Sequence, residues 1–336
     1  MRPLETCVGW LKVSEKARAG MTRTDELRLM TKVARLYYER GMQQAEIADI
    51  LRLSQSTVSR VIKRAHEEKI VRTTIDPPKG VYPELEDRLV QAFDLKDAVV
   101  ADATLDDDEV VIRDIGSAAA YYLETALKNG DVIGISSWSA TLLAMVDAMH
   151  PVPGLKGIQV VQILGGVGNP TAEMHATRLV SRLGQLLHGE PVYLPAPGVV
   201  GSIESRKVLL ADPFIQASME LINQVSIGLV GIGEIKPSSL LATSGNVFSP
   251  GELESLRSQG AVGDILVRFF DRQGRPVDSP LNERVVGMSL EQLQRLDRSV
   301  GIAGGKRKVE AIHSALNGKL INVLITDHFS AERLLA

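Results

Sequence analysis

The chain has one cysteine in 336 residues, Cys7. A single thiol excludes an internal disulfide framework and a cysteine-based zinc finger. No run of 18 apolar residues occurs, so no membrane-spanning helix is expected. The start shows no apolar stretch followed by a small-residue cleavage site, so no secretory signal is visible. The six histidines, His66, His150, His175, His188, His313 and His328, fall into no metal spacing such as HxxxH. GxxxxGK followed by Ser or Thr does not occur, so an NTP-binding P-loop is not expected, and no dinucleotide glycine pattern stands with a partner acid. There is no fixed-period repeat and no low-complexity tract. What is present is a globular balance, 44% hydrophobic and 24% charged, which excludes a largely disordered chain. At roughly 150 residues per domain the length suggests about two domains. A cytoplasmic soluble protein with no metal and no cofactor is expected.

Spread evenly, a net charge of −3 would argue against a polyanionic partner. It is not spread evenly. Residues 1–75 hold 15 Lys and Arg against 9 Asp and Glu, a net of +6, and residues 76–336 hold 23 against 32, a net of −9. A small basic head on a large acidic body suggests a head that meets polyanion and a body with another task.

Residues 1–24 have no helical or strand period and are read as disordered or non-native. Met21 stands just before the first good helix, so the segment ahead of it is either a non-native start or a basic arm. Residues 25–75 read as compact helices. Met30, Val33, Ala34 and Tyr37 follow the i, i+3, i+4, i+7 pattern of a buried face, and Gly41 stands where a helix stops. A short helix over Gln43–Leu51 points Ile47, Ile50 and Leu51 inward. Residues 73–83 hold three prolines and a glycine, which end helix and central strand alike, so 76–83 is the expected linker. Over 84–336, strand-like runs at 97–102, 131–136, 158–164, 225–231, 265–270, 300–303 and 320–326 alternate with helical patterns. The helices are expected near 108–129, 139–149, 171–188, 212–223, 250–258, 289–296 and 306–316. Strands apolar on both faces with helices between them predict a doubly wound, mostly parallel α/β domain behind an all-α head.

Within the head, QQAEIADILRLSQSTVSRVIKRA reads as two short helices joined by a tight turn around Leu51–Ser54. Ala48 is small where helices must approach, and Leu53 is apolar inside the turn. Ser54 is the N-cap of a third helix, whose Val58, Val61, Ile62 and Ala65 form one apolar stripe. This is the pattern of a helix-turn-helix. The outward face of the third helix carries Gln55, Ser56, Ser59, Arg60 and Lys63, with Gln44 on the preceding helix. Gln can pair with adenine and Arg with guanine in the major groove. Thr57 and Arg64 are expected to meet phosphate.

The body has four glycine- or hydroxyl-rich turns after expected strands. GISSWSAT opens a helix and offers Gly134, Ser136, Ser139, Ala140 and Thr141 to an anion, with Trp138 as a flat apolar wall. LGGVGN offers Gly165, Gly166 and Asn169. GIGEI offers Gly233. GIAGGKRKVEAI opens a helix carrying Lys306 and Lys308, and a lysine there adds a point charge to a phosphate. Each turn alone is how α/β proteins turn. Four in one open sheet point to a shared crevice at the strand C-termini.

The segment ARLYYERGMQQAEIADILRLSQSTVSRVIKRAHEEKIV resembles the head of the SorC family of sugar-responsive transcription regulators. The aliphatic Ile70, Val71 and Ile75 fit the wing-like strand that begins after the third helix in that family. Gln55 stands where the family more often has Arg. GISSWSATLLAMVDAM, VVQILGGVGN, LPAP, GAVGDILVRFFDRQGRPV and the 301–326 segment are similar to the family's effector domains, so the likeness covers about 25–336. The resemblance implies a fold like ribose-5-phosphate isomerase and glucosamine-6-phosphate deaminase, and a phosphorylated sugar or polyol bound across the loops. It implies that Asp264 binds ligand hydroxyls and that Lys308, more than Lys306, faces the phosphate or hydroxyls. It further implies a double-stranded DNA operator and a dimer or tetramer. His328, after the last expected strand, is a minor candidate ligand contact. The competing reading is an isomerase- or deaminase-like enzyme with an appended head. Such an enzyme needs a positioned general base, and the acidic run Asp106–Glu109 reads better as a solvated helix entry. A regulator rather than an enzyme is expected.

Overall fold

The computed structural model describes residues 22–72 and 77–336, with the backbone alone given for 170–175. Cys7, Met21, Ile75 and the side chain of His175 lie outside the described residues. The chain forms two compact units that divide between Asp76 and Pro77.

The head is three helices. α1 (Arg23–Ala34) opens with a capping box between Thr22 and Asp25, so residues 22–24, expected to be irregular, are the ordered start of the helix. It runs into one wide π turn, Arg35–Glu39. That turn shifts the inward face by about one residue: Leu36 is buried and Tyr37 only half-buried. α2 (Gln44–Leu51) ends at Arg52, whose φ of 52° is left-handed, and α3 (Gln55–Glu67) begins on the Ser54 cap. Ile47, Ala48, Val58, Val61, Ile62 and Ala65 close the core together, each full burial stabilising by about 1.5–3 kcal/mol for the larger side chains. Ile50, expected inward, is 58% exposed: the face of an eight-residue helix is narrow, and Ile47 with Ala48 fills it. Ile70 and Val71 pack against this core as a bend, not as a strand.

The body is built on a seven-stranded, wholly parallel sheet. Its strands are β1 (Asp97–Ala101), β2 (Val132–Ile135), β3 (Gln159–Gln162), β4 (Glu190–Val192), β5 (Ile227–Gly231), β9 (Arg298–Ile302) and β10 (Val323–Asp327). The spatial order is β1-β10-β9-β5-β2-β3-β4. One apolar layer lies under α5 (Asp108–Ala126), α6 (Ala140–Ala148) and α7 (Pro170–Leu186). The other lies under α4 (Pro83–Phe93), α9 (Pro213–Ile222), α12 (Leu290–Gln294), α13 (Val309–Asn317) and α14 (His328–Leu334). Helices on both faces of a parallel sheet make the body doubly wound. Two further helices show no apolar period, α8 (Ile203–Leu210) because it buries no residue and α10 (Ser239–Ser244) because it is so short, while α11 (Pro250–Ser258) starts on its Ser249–Glu252 capping box.

Two expectations are corrected. Residues 265–270 are not one strand. β6 (Gly233–Glu234), β7 (Gly263–Ile265) and β8 (Arg268–Phe270) form a separate antiparallel sheet, and the chain reverses at Leu266 and Val267 with φ of 56° and 58°. An apolar run reads as a strand even where its middle is a turn; here burial of both side chains offsets an unfavourable backbone. Nor is 77–82 free of the body. Tyr82 precedes the first residue of α4, donates its hydroxyl to Asp102 (2.6 Å) and stacks on His328.

Candidate functional site

In the head, the exposed face of α3 carries Gln55, Ser56, Ser59, Arg60 and Lys63. These are the groove-reading candidates, on a helix whose opposite face is the head core. Ser54 serves the helix itself, accepting from the Thr57 amide at 3.2 Å. Thr57 is buried, with its hydroxyl 2.8 Å from that of Ser54, so it lies apart from the exposed face of α3. Arg64 pairs with Glu26 at 3.0 Å, which ties α3 to α1. Gln44 is half-buried at the first turn of α2.

In the body, the four expected turns leave β9, β5, β2 and β3. These strands are consecutive in the sheet, and all are parallel, so the turns emerge at one end side by side. The chain switches direction across the sheet between β5 and β2, which is where ligands enter such folds.

The turn after β2 is mostly structural. Ser136 is buried and its amide bonds Leu229 O. Trp138 is buried with its indole N–H on Gly165 O, so it is a wall of the core and not an open platform. Ser139 caps α6 and packs beside Gly231, Ala140 begins that helix, and Thr141 is buried. Gly134 lies in β2, where a β-carbon would meet Ile163 at 2.6 Å. The turn after β3 is similar: Gly165 presses on Ala196 and Pro197, Gly166 on Gln162, and the Asn169 amide bonds Ser244 O. A network missed from sequence supports it: Gln162 donates to Ser137 Oγ and accepts from the Leu194 amide, and Ser137 donates to Leu164 O.

Chemistry gathers instead between β5 and β9. β6 follows β5 directly and pairs Gly233 with Asp264 on β7. Asp264 lies deep in the fold with an accessible edge, and accepts from the Val267 amide at 3.1 Å. Burial pushes its carboxyl up to about 6, against the field of Lys308. After β9, Ala303–Gly305 leads into a 3-10 turn, Lys306–Lys308, and then α13. Lys308 is half-buried, while Lys306 is exposed. Burial lowers the Lys308 ammonium, and Asp264, Asp108 and Glu234 hold it up. Among the described residues no carboxylate comes within 4.0 Å of that ammonium. Arg307, unremarked in the sequence, pairs with Asp108 (2.8 Å) on α5 and Glu234 (3.6 Å) on β6. Asp264 and Val267 also line a pocket with Glu234, Leu241, Phe248 and Phe269. Among the described residues no cluster of His, Cys, Asp and Glu is arranged to hold a metal ion, and no helix is long and apolar enough to cross a membrane.

Comparison with known proteins bears on both units. The family model "Putative sugar-binding domain" matches residues 81–336, and a homeodomain-like domain model matches 22–71. The chain is 33% identical over 310 residues to the deoxyribonucleoside regulator of Bacillus subtilis, covering 92% of this chain and 98% of that protein. It is 30% identical over 319 residues to the sorbitol operon regulator of Klebsiella pneumoniae, covering 94% and 100%. The crystal structure of full-length SorC from Klebsiella pneumoniae superposes with a TM-score of 0.70 at 30% identity, covering 93% of this chain and 100% of that one. These relatives are named as regulators, not enzymes. The chain is a DNA-binding transcription regulator with a sugar-binding body, and it belongs to the SorC family.

Proposed function

We propose that operator binding by the head is controlled by a phosphorylated sugar or polyol held in the crevice between β5 and β9. The observation that carries this reading is Lys308, a half-buried ammonium out of salt-bridge reach of any described carboxylate, facing the field of Asp264. A cation so placed costs solvation that a ligand oxyanion or hydroxyl would restore. Asp264 accepts from ligand hydroxyls, and Lys308 with the adjacent glycine-rich backbone takes the phosphate. Both relatives bear names tied to sugar or nucleoside metabolism, which agrees with an effector of that class. The effector favours one conformation or assembly of the body, and a difference of about 1–3 kcal/mol changes operator affinity about 5–150-fold. A helix-turn-helix reads two half-sites as a pair, so the regulator acts as a dimer or tetramer, in the cytoplasm.

The test is a thermal-shift panel of ribose 5-phosphate, glucose 6-phosphate and glucitol 6-phosphate, each beside its unphosphorylated form, followed by operator binding with every compound that shifts the midpoint. Stabilisation by phosphorylated members alone, with a change in operator affinity, is expected. Equal stabilisation by the unphosphorylated forms would remove the phosphate from the reading.

A further inference from the structure

The loop that presents Lys308 is held from behind. Gly305 has a φ of 92°, and its amide donates both to Asp327 Oδ2 (3.0 Å) and to Ser330 Oγ (2.9 Å). Ser330 Oγ in turn donates to Asp327 Oδ2 at 2.6 Å, and the Ser330 amide donates to Asp327 Oδ1 at 2.9 Å. Asp327 and Ser330 are both fully buried. Gly304 packs so closely on Asp327 Oδ2 that a β-carbon there would overlap it. Three residues beyond Gly305, the Lys308 amide bonds Gly305 O at 3.0 Å, so the 3-10 turn that carries the lysine is built on the anchored glycine.

The two oxygens of Asp327 have separate tasks. Oδ1 caps α14, which any short polar cap would do. Oδ2 does something a cap does not need: besides the Ser330 hydroxyl on α14, it accepts from the Gly305 amide in the loop after β9. No cationic side chain lies within 4.0 Å of this buried carboxylate among the described residues; its direct partners are hydrogen-bond donors, and Arg333 acts on it only at longer range. A neutral serine would cap the helix at a lower desolvation cost. The second oxygen is explained by the loop it holds.

We propose that Asp327 Oδ2, with Ser330, is the positioning element of the effector site: it fixes Gly305 and through it the place of Lys308. The inference rests on the reading that the β5–β9 crevice binds the effector. The charge-assisted anchor fixes the two glycines, which have no side chains to hold them, between the buried Ala303 and the lysine turn, so that the ammonium is in place before ligand arrives.

Asp327→Ser separates the two tasks. Serine keeps a cap for α14 but is too short to reach Gly305. Thr326→Val, one residue earlier, is the matched control, because the buried Thr326 hydroxyl has no hydrogen-bond partner among the described residues. The full chain is titrated with ribose 5-phosphate, glucose 6-phosphate, glucitol 6-phosphate and inorganic phosphate, and amide hydrogen exchange is followed over 303–308. In Asp327→Ser the tightest-binding probe is expected to weaken at least tenfold and exchange over 303–308 to quicken at least tenfold. Operator affinity without ligand stays that of the wild type, which reports an intact fold. Thr326→Val should match the wild type in both readouts. Wild-type probe affinity in Asp327→Ser, or unchanged exchange over 303–308, would overturn the proposal. If no probe binds the wild type, the effector reading falls, and the exchange result still decides whether Asp327 holds the loop.

Discussion

Asp264 presses its Oδ1 into the space that a β-carbon on Gly233 would need. The pairing of β6 with β7 makes this approach, and it leaves the carboxyl enclosed with its value pushed up to about 6. The unfolded carboxyl releases its proton near 3.8. The folded state therefore holds the proton over a window in which the unfolded chain has lost it. Stability from this group is full below about pH 4 and falls as pH rises to about 6. Asp264→Asn should flatten that dependence and stabilise the ligand-free protein near neutral pH by about 1–3 kcal/mol, while abolishing the effector response. Denaturant melts between pH 4 and 8, beside operator binding, check both halves. A destabilised Asn variant would show that the carboxylate is structural.

The Tyr82 ring stacks on His328, with centroids 5.1 Å apart and planes within 9°. Tyr82 precedes α4, the first helix of the body, and donates to Asp102, which pushes its hydroxyl up to about 12. His328 opens α14, whose cap is Asp327. One ring pair thus joins the helix behind the lysine loop to the segment that continues toward the head in sequence. His328→Ala should cost about 0.5–1.5 kcal/mol of stability, the worth of an aromatic contact. Effector affinity should stay within about threefold of the wild type, while the effector-driven change in operator affinity shrinks several-fold. Operator titrations with and without effector measure this. An undiminished response would reduce the stack to packing.

On the head, Arg60 and Lys63 share the exposed face of α3 but should differ in kind. Arg60→Ala should cost about 1–3 kcal/mol of operator affinity and relax one base position. Lys63→Ala should weaken all sequences alike and lower the salt slope by about 1. Operator variants titrated across ionic strength separate the two, and equal behaviour of both variants would reassign Arg60 to phosphate.

The sequence showed much of this, and what it hid has physical causes. Helix faces were legible where apolar residues recur at helical spacing, as in α3 and α5, and caps where Ser249 precedes Pro250 and Glu252. Gly233 and Lys308 were legible as flexible or charged residues after expected strands, while Asp264 was reached only through the family resemblance; Gly233 pairs with Asp264, and Lys308 feels its field. Trp138, Thr57 and Gly165 were expected at ligands and instead pack inward. A glycine or hydroxyl in a turn looks the same in sequence whether it meets a ligand or a neighbouring backbone. The pairing of β6 with β7 joins residues about thirty apart, and the anchor from Asp327 to Gly305 joins two loops, which no local period reports. The one signal for Asp327 was local: Asp followed three residues later by Ser at a helix start.

Among the described residues, Val267 is the one β-branched residue with a left-handed backbone. A β-branched side chain at φ 58°, beside Leu266 at 56°, occupies a turn that ordinarily takes Asn and Gly. Each such residue costs about 1–2 kcal/mol of backbone strain, yet both are buried, and Val267 lines the pocket with Asp264. Its amide also donates to Asp264. Val267→Gly relieves the strain and keeps that hydrogen bond, but removes the apolar wall, whose burial is worth a similar amount. Global stability should therefore change by less than about 1 kcal/mol while effector affinity falls at least several-fold. Equilibrium melts and effector titration on the same variant decide it. A clear gain in stability with unchanged effector affinity would mean that the strained valine serves neither the pocket nor the fold.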